Sequence, residues 1–174
     1  MPNWCENFVQ ITGDTKKLVE FHDFIVESED YLYQTILNFI TPVEDRVAHK
    51  LIDGDENWYS FNMDHFGVKW DTDGASVDLF EDIVEDGVSH LQMSFESPWG
   101  PPTNIFETLG NAFPEIRVKL FYIEEGMDFC GILDSFSEED YHTDEYSSAE
   151  DIPEELEFTF DIQERIAEYE ADCA

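Results

Sequence analysis

Met1-Pro2-Asn3-Trp4-Cys5-Glu6-Asn7-Phe8-Val9-Gln10-Ile11-Thr12-Gly13-Asp14 sets the architecture of this chain of 174 residues. Asn7, Val9 and Ile11 alternate with Phe8 and Gln10, and a period of two predicts a strand with two unlike faces. Gly13-Asp14 then turns the chain, and Asp14 or Thr15 caps a helix over residues 15–28, with Leu18, Phe21 and Ile25 at helical spacing. The first strand is expected at the centre of a sheet, with later strands pairing on it. The N-terminus lacks the basic region and apolar run of a signal peptide, so a leader is not expected.

Further along, residues 36–40 read as a short β-prone strand before Thr41-Pro42. Residues 43–56 read as a loop, and 58–66 as a helix stopped by Gly67. Residues 75–80 and 89–96 alternate as strands, the second with Leu91, Met93 and Phe95 inward. Ser97-Pro98-Trp99-Gly100-Pro101-Pro102 forms a rigid corner that opens a helix carrying Ile105, Phe106, Leu109 and Phe113, and Pro114 stops it. Residues 116–123 are apolar on both faces, the pattern of an interior strand. Residues 129–133 make another strand, and residues 135–153 read as an acidic surface loop. Leu156, Phe158 and Phe160 alternate with polar residues and predict one more strand. A last helix is capped by Asp161, with Ile162, Ile166 and Tyr169 inward. This order predicts an α+β sandwich, an antiparallel sheet with helices on one face and an acidic C-terminal strand–helix extension. Residues 1–134 form the domain, and 135–174 pack on it.

The outlying property is charge. Forty-two acidic side chains face eight basic ones, a formal net charge of −34. With 42% apolar and 15% aromatic residues the chain still has the means to build a core. Self-repulsion on this scale opposes compaction and is offset by burial and screening. Three cysteines at long spacings, Cys5, Cys130 and Cys173, suggest free thiols in a reducing compartment. No apolar run is long enough to span a bilayer, and anionic lipid would repel the surface.

Several words of the sequence stand out when taken in order: Met1–Asn7 with Ile11-Thr12-Gly13, Gly67-Val68-Lys69-Trp70-Asp71, the 97–102 corner, and Glu125-Gly126-Met127-Asp128-Phe129-Cys130-Gly131. In this order they resemble the Api92-like (YubB-like) proteins of bacteriophages and plasmids. The resemblance runs from residue 1 to about residue 133. It implies a ferredoxin-like domain, a phage or plasmid origin and a host-cytoplasm setting. It implies no chemistry, and it does not reach the acidic end.

No nucleotide-binding glycine loop, nucleophile elbow or zinc spacing occurs. Asp53, Asp55, Asn57 and Asp64 fit positions of a calcium loop, but the glycine that template needs is replaced by Trp58. Asp71-Thr72-Asp73-Gly74 reads more simply as a turn. His22 and His65 read as structural, and Cys5 as a buried thiol rather than a nucleophile. No cofactor is expected, and direct nucleic-acid binding is disfavoured because the field repels phosphate. The charge itself remains. Duplex DNA carries about one charge per 1.7 Å of axis, so 34 charges match roughly 58 Å, or about 17 base pairs. A domain of this size is roughly 40 Å across, so a one-sided arrangement would rival duplex charge density.

The reading is therefore a non-enzymatic phage inhibitor, of the anti-restriction or anti-CRISPR kind. It would mimic nucleic-acid charge in the basic groove of a host defence protein. Its contact residues are Glu138, Glu139, Asp140, Asp144, Glu145, Glu150, Asp151, Glu154, Glu155 and Glu157, helped by Glu164, Glu168 and Glu170. The alternatives are a module that docks by shape through the aromatic loop Tyr141–Tyr146, and a small metal-dependent enzyme at the calcium-like cluster.

Overall fold

A computed structural model describes residues 3–41, 57–72, 75–81, 87–137 and 139–172, with the backbone alone at 169, 170 and 172. Strand β1 (Trp4–Asp14) lies inside a six-stranded antiparallel sheet. The other strands are β2 (Ser76–Glu81), β3 (Val88–Pro98), β4 (Arg117–Glu124), β5 (Phe129–Asp134) and β6 (Tyr141–Thr143), in spatial order β2-β3-β1-β4-β5-β6. β1 runs antiparallel to β3 from Trp4↔Pro98 to Asp14↔Val88, and to β4 from Glu6↔Ile123 to Thr12↔Arg117. Helix α1 (Thr15–Glu27) links β1 to the β2 side, and α4 (Thr103–Ala112) links β3 to β4. Each crossover skips one strand, giving two interleaved split βαβ units, the ferredoxin-like arrangement. β5 and β6 then extend the sheet beyond β4 as a meander.

The period of two in β1 holds. Cys5, Asn7, Val9 and Ile11 are buried on one face, where they meet Leu18 and Phe21 of α1 and Ile105, Phe106 and Leu109 of α4. Asp14 caps α1 by accepting from the Lys17 amide at 3.1 Å. Gly67, at φ 87°, lies just past α3 (Trp58–His65), where left-handed backbone suits glycine.

Residues 32–40 correct the sequence reading: the expected strand at 36–40 is helix α2 (Leu32–Ile40). Leu32, Tyr33, Ile36 and Leu37 form its buried stripe. Its first turn is capped from a distance. The Asp71 carboxylate accepts the Tyr33 and Gln34 amides, each at 2.7 Å, and the Leu32 amide donates to the Thr72 carbonyl at 3.1 Å. Those bonds satisfy orphan N–H groups that Tyr31, at the N-cap, leaves without a side-chain cap.

The C-terminal segment differs twice. The acidic loop contains β6, paired on β5, and a 3₁₀ turn at Tyr146–Ser148. The expected strand at 156–160 is helix α5 (Glu154–Phe160), followed directly by α6 (Ile162–Asp172). Leu156 and Phe160, four apart, are the buried positions. Pro153 stands at the cap, and Glu154, Glu155 and Glu157 fill the first turn, where the helix dipole favours acids. These helices lie over the opposite face of the sheet, so helices cover both faces. Phe121, Ile123, Cys130 and Ile132 form a second core there with Tyr146, Leu156, Phe160 and Ile162. β4 serves both cores, with Val118, Leu120 and Tyr122 on one side and Phe121 and Ile123 on the other.

Apart from Ile11-Thr12-Gly13, the words that carry the family resemblance lie towards one end of the sheet. The buried Asn7 amide donates to the Cys5 carbonyl at 2.8 Å and to Ser97 Oγ at 2.7 Å. Ser97 in turn donates to the Gly100 carbonyl at 2.6 Å, and the Trp99 amide to the Asn3 carbonyl at 2.9 Å. Trp99 itself takes φ 70°. Buried Glu124 closes the β4–β5 turn by accepting the Gly126 and Met127 amides.

Candidate protein-docking face

The predicted contact residues belong to the β6 edge and to the α5–α6 layer. Glu139, Glu145, Glu150, Asp151, Glu154, Glu164 and Glu168 are all exposed. Glu138 lies outside the described residues, and only the backbone of Glu170 is described. Others have internal partners. Lys119 Nζ donates to both Glu155 oxygens, at 2.6 and 2.9 Å. The Asp140 carboxylate accepts the Asp134 amide at 3.1 Å, and Asp144 lies 3.0 Å from His142 Nε2. Glu157 accepts the Gln163 amide at 3.2 Å and so caps α6, the role expected of Asp161. Asp161 instead takes a left-handed conformation, φ 51°, as the joint between the two helices, and its carbonyl accepts the Arg165 amide.

Arg165 is the one basic residue in 135–174, against fifteen acids. It points inward. Its guanidinium donates to Glu6 at 2.8 and 3.0 Å, to Glu125 at 2.6 Å and to the Phe160 carbonyl at 2.8 Å. The hydrogen bond to Glu6 leads the effects that raise its pKa, so it stays charged. One cation thereby clasps α6 to β1 and to the β4–β5 turn, and leaves the outer side of this segment anionic.

The aromatic loop does not offer the expected anchors. Tyr146 is only 6% exposed and belongs to the second core, and the Tyr141 hydroxyl donates to the Asp151 carbonyl at 3.3 Å. The exposed ring of this segment is Phe158, 88% exposed on α5. It lines a cleft of about 580 Å³ with Phe8, Gln10, Gln92 and Phe121, rimmed by Glu154 and Glu155. Sequence alternation had turned this ring inward. Helical spacing from Leu156 and Phe160 is the signal that turns it out.

The other candidate sites fare differently. Asp53 and Asp55 of the calcium-like cluster, with Asp73-Gly74 of the expected turn, lie outside the described residues. α3 separates Asn57 from Asp64 by roughly 10 Å along its axis, so these two cannot close a single ion loop. Among the described residues no group of three or more His, Cys, Asp or Glu side chains is placed to hold a metal. Burial pushes the Cys130 thiol up to about 11, and burial with Glu124 nearby raises Cys5 further, the opposite of an activated nucleophile. His22 lies 3.1 Å from Asp23, His65 packs on Phe61 with the rings tilted by 49°, and His142 bonds the Tyr122 hydroxyl at 3.0 Å. No helix among the described residues is long and apolar enough to cross a membrane.

Comparison with known proteins agrees with this architecture. The model of the ferredoxin-like domain in Api92-like proteins matches residues 66–164. That match passes Leu133 and takes in β6 and α5, which the sequence resemblance did not reach. The crystal structure of protein Api92 from Yersinia pseudotuberculosis superposes at a TM-score of 0.51 with 10% identity, covering 82% of this chain and 98% of that one. At that identity the likeness concerns the fold. No curated protein matches by sequence. The chain belongs to the Api92-like family.

Proposed function

We propose that this Api92-like chain is a phage-encoded, non-enzymatic inhibitor that works in the host cytoplasm. Its acidic layer occupies the basic groove of a host nucleic-acid-binding defence protein, with carboxylates standing where phosphates would lie. One observation carries the reading. The segment with the densest charge exposes Glu139, Glu145, Glu150, Asp151, Glu154, Glu164 and Glu168, while its single cation is consumed internally by Glu6 and Glu125. A surface evolved for solubility alone has no need to withdraw its only guanidinium. Such a field steers a cationic partner and speeds encounter. Direct RNA binding fits poorly. Sheet-face readers stack bases on an open sheet, and here α5 and α6 cover part of that face while Glu154 and Glu155 rim the remaining cleft.

A second reading has its own support. Phe158 is an exposed aromatic ring beside an apolar cleft, the kind of group that dominates interface energetics. In that case shape rather than charge selects the partner. Immobilised protein incubated with host lysate separates the two. Retention at low salt, release by duplex DNA and by roughly 0.5 M salt, and loss on combined Glu145→Lys, Glu150→Lys, Glu154→Lys and Glu164→Lys support mimicry. Retention that resists salt and DNA but vanishes in Phe158→Ala supports docking by shape. A retained protein that survives every one of these changes overturns both.

A further inference from the structure

A second cleft, independent of the acidic layer, opens where β3 runs past the end of β2. β2 pairs with β3 only as far as Ser76↔Ser94, so Phe95 and Glu96 lie on an edge that no described residue of β2 pairs with. Around that edge stand Trp4, Tyr31 and Trp70, with Asp71 and Glu96, enclosing about 540 Å³. That volume falls in the small-molecule range. Two of the rings are well exposed, Trp4 at 46% and Tyr31 at 59%.

The walls are held rigidly. The Thr72 carbonyl and the Asp71 carboxylate bind the first amides of α2, which locks the segment carrying Trp70 to the one carrying Tyr31. Trp4 is fixed opposite Pro98 in the ladder. Among the described residues no lysine or arginine lines the cleft. Lys69, which lies outside it, holds its ammonium 4.9 Å from the Trp70 ring centre, so one ammonium already uses this ring.

We infer that this cleft binds an organic cation of the quaternary ammonium class. Aromatic faces attract cations through the ring quadrupole. The carboxylates decide which cation. Asp71 already accepts three backbone amides, from Tyr33, Gln34 and Thr72, each at 2.7 Å. It therefore offers negative charge but few remaining lone pairs. A primary ammonium seated against Asp71 finds about one free acceptor position there and must turn its other N–H groups to Glu96 or to solvent. A trimethylammonium group has none to satisfy, and its methyl groups pack on the rings. Glu96, exposed at the rim, adds charge without crowding.

The same head group occurs in free choline and in trimethylated lysine of a protein, and titration calorimetry distinguishes them. Choline, ethanolammonium and a short peptide with one trimethyl-lysine are titrated into the full chain at constant ionic strength. Choline is expected to saturate one site and to bind at least about tenfold more tightly than ethanolammonium. Stronger binding of the peptide assigns a protein side chain as the source, and stronger binding of choline a small molecule. Trp70→Ala should weaken choline about tenfold. If that variant fails to fold, Tyr31→Ala, which removes an exposed ring, is expected to give a smaller loss in the same direction. Equal binding of choline and ethanolammonium, heats that match sodium chloride, or full affinity in a folded Trp70→Ala or Tyr31→Ala protein would overturn the assignment.

Discussion

Replacing Glu168 by lysine should stabilise the fold while weakening any partner that reads charge. Glu164 and Glu168 are exposed and one turn apart on α6, and neither forms an ion pair among the described residues. Like charges at this spacing cost about 0.3 kcal/mol, and a Glu–Lys pair gains about as much. Position 168 lies near the end of α6, where the helix dipole adds roughly 0.3 kcal/mol for a cation over an anion. Together the change is worth about 1 kcal/mol, which for a chain of this length raises the melting temperature by roughly 2–4 °C. Thermal denaturation at about 50 mM and about 1 M salt tests the electrostatic origin, because screening should remove most of the gain. Partner capture, measured in parallel, should fall. A melting temperature that drops, or a gain that persists undiminished in high salt, would refute the reasoning. Unchanged partner capture would separate charge from recognition.

Other outcomes are equally definite. Leu156→Ala removes a fully buried side chain from the second core and should cost about 2–5 kcal/mol, with lost hydrogen-exchange protection concentrated in α5 and α6; unaltered urea denaturation would contradict that core. Burial pushes the Asp71 carboxyl up to about 6 against its three amide donors, with Asp30 adding to the rise. A carboxyl raised on folding is disfavoured when ionised, so its share of stability is present below its ordinary range near 4 and is lost as pH climbs towards 6. The wild type should therefore gain more melting temperature than Asp71→Asn between neutral pH and pH 5, and parallel profiles would exclude the linkage. Cys5 and Cys130, buried with raised thiols, should resist iodoacetamide at neutral pH until the protein is unfolded, as read by mass spectrometry.

Much of the fold could be read from local pattern. The alternation around Val9 and Ile11, the caps at Asp14 and Gly67, and the two-sided apolarity of residues 116–123 each report their own environment. Two readings failed because the deciding contact is distant. α2 begins where Asp71 supplies its cap, from 38 residues away for Tyr33. Its Tyr33, Ile36 and Phe39 look β-prone until that cap is known. At Leu156, Phe158 and Phe160 the same residues satisfy a period of two or a spacing of four, and only the second core chooses between them. β6, three residues long, is too short to leave a pattern.

The candidate face was legible in residue type and not in orientation. Composition gives the acids. It cannot tell that Arg165 turns inward, that Lys119 neutralises Glu155, or that Tyr146 is core while Phe158 is surface. The aromatic cleft was invisible for a related reason. Trp4, Tyr31, Trp70 and Glu96 are far apart in the chain, and no spacing rule brings them together.

The second core has a practical consequence for dissecting this molecule. Cutting the chain after Asp134 would strip the acidic helices and lay bare Phe121, Ile123, Cys130 and Ile132 in one patch. The fragment would lose its most soluble segment and gain a sticky sheet face in the same stroke, so its failure to bind anything would be uninterpretable. Only substitutions that keep Leu156, Phe160 and Ile162 in place can ask what the charge is for.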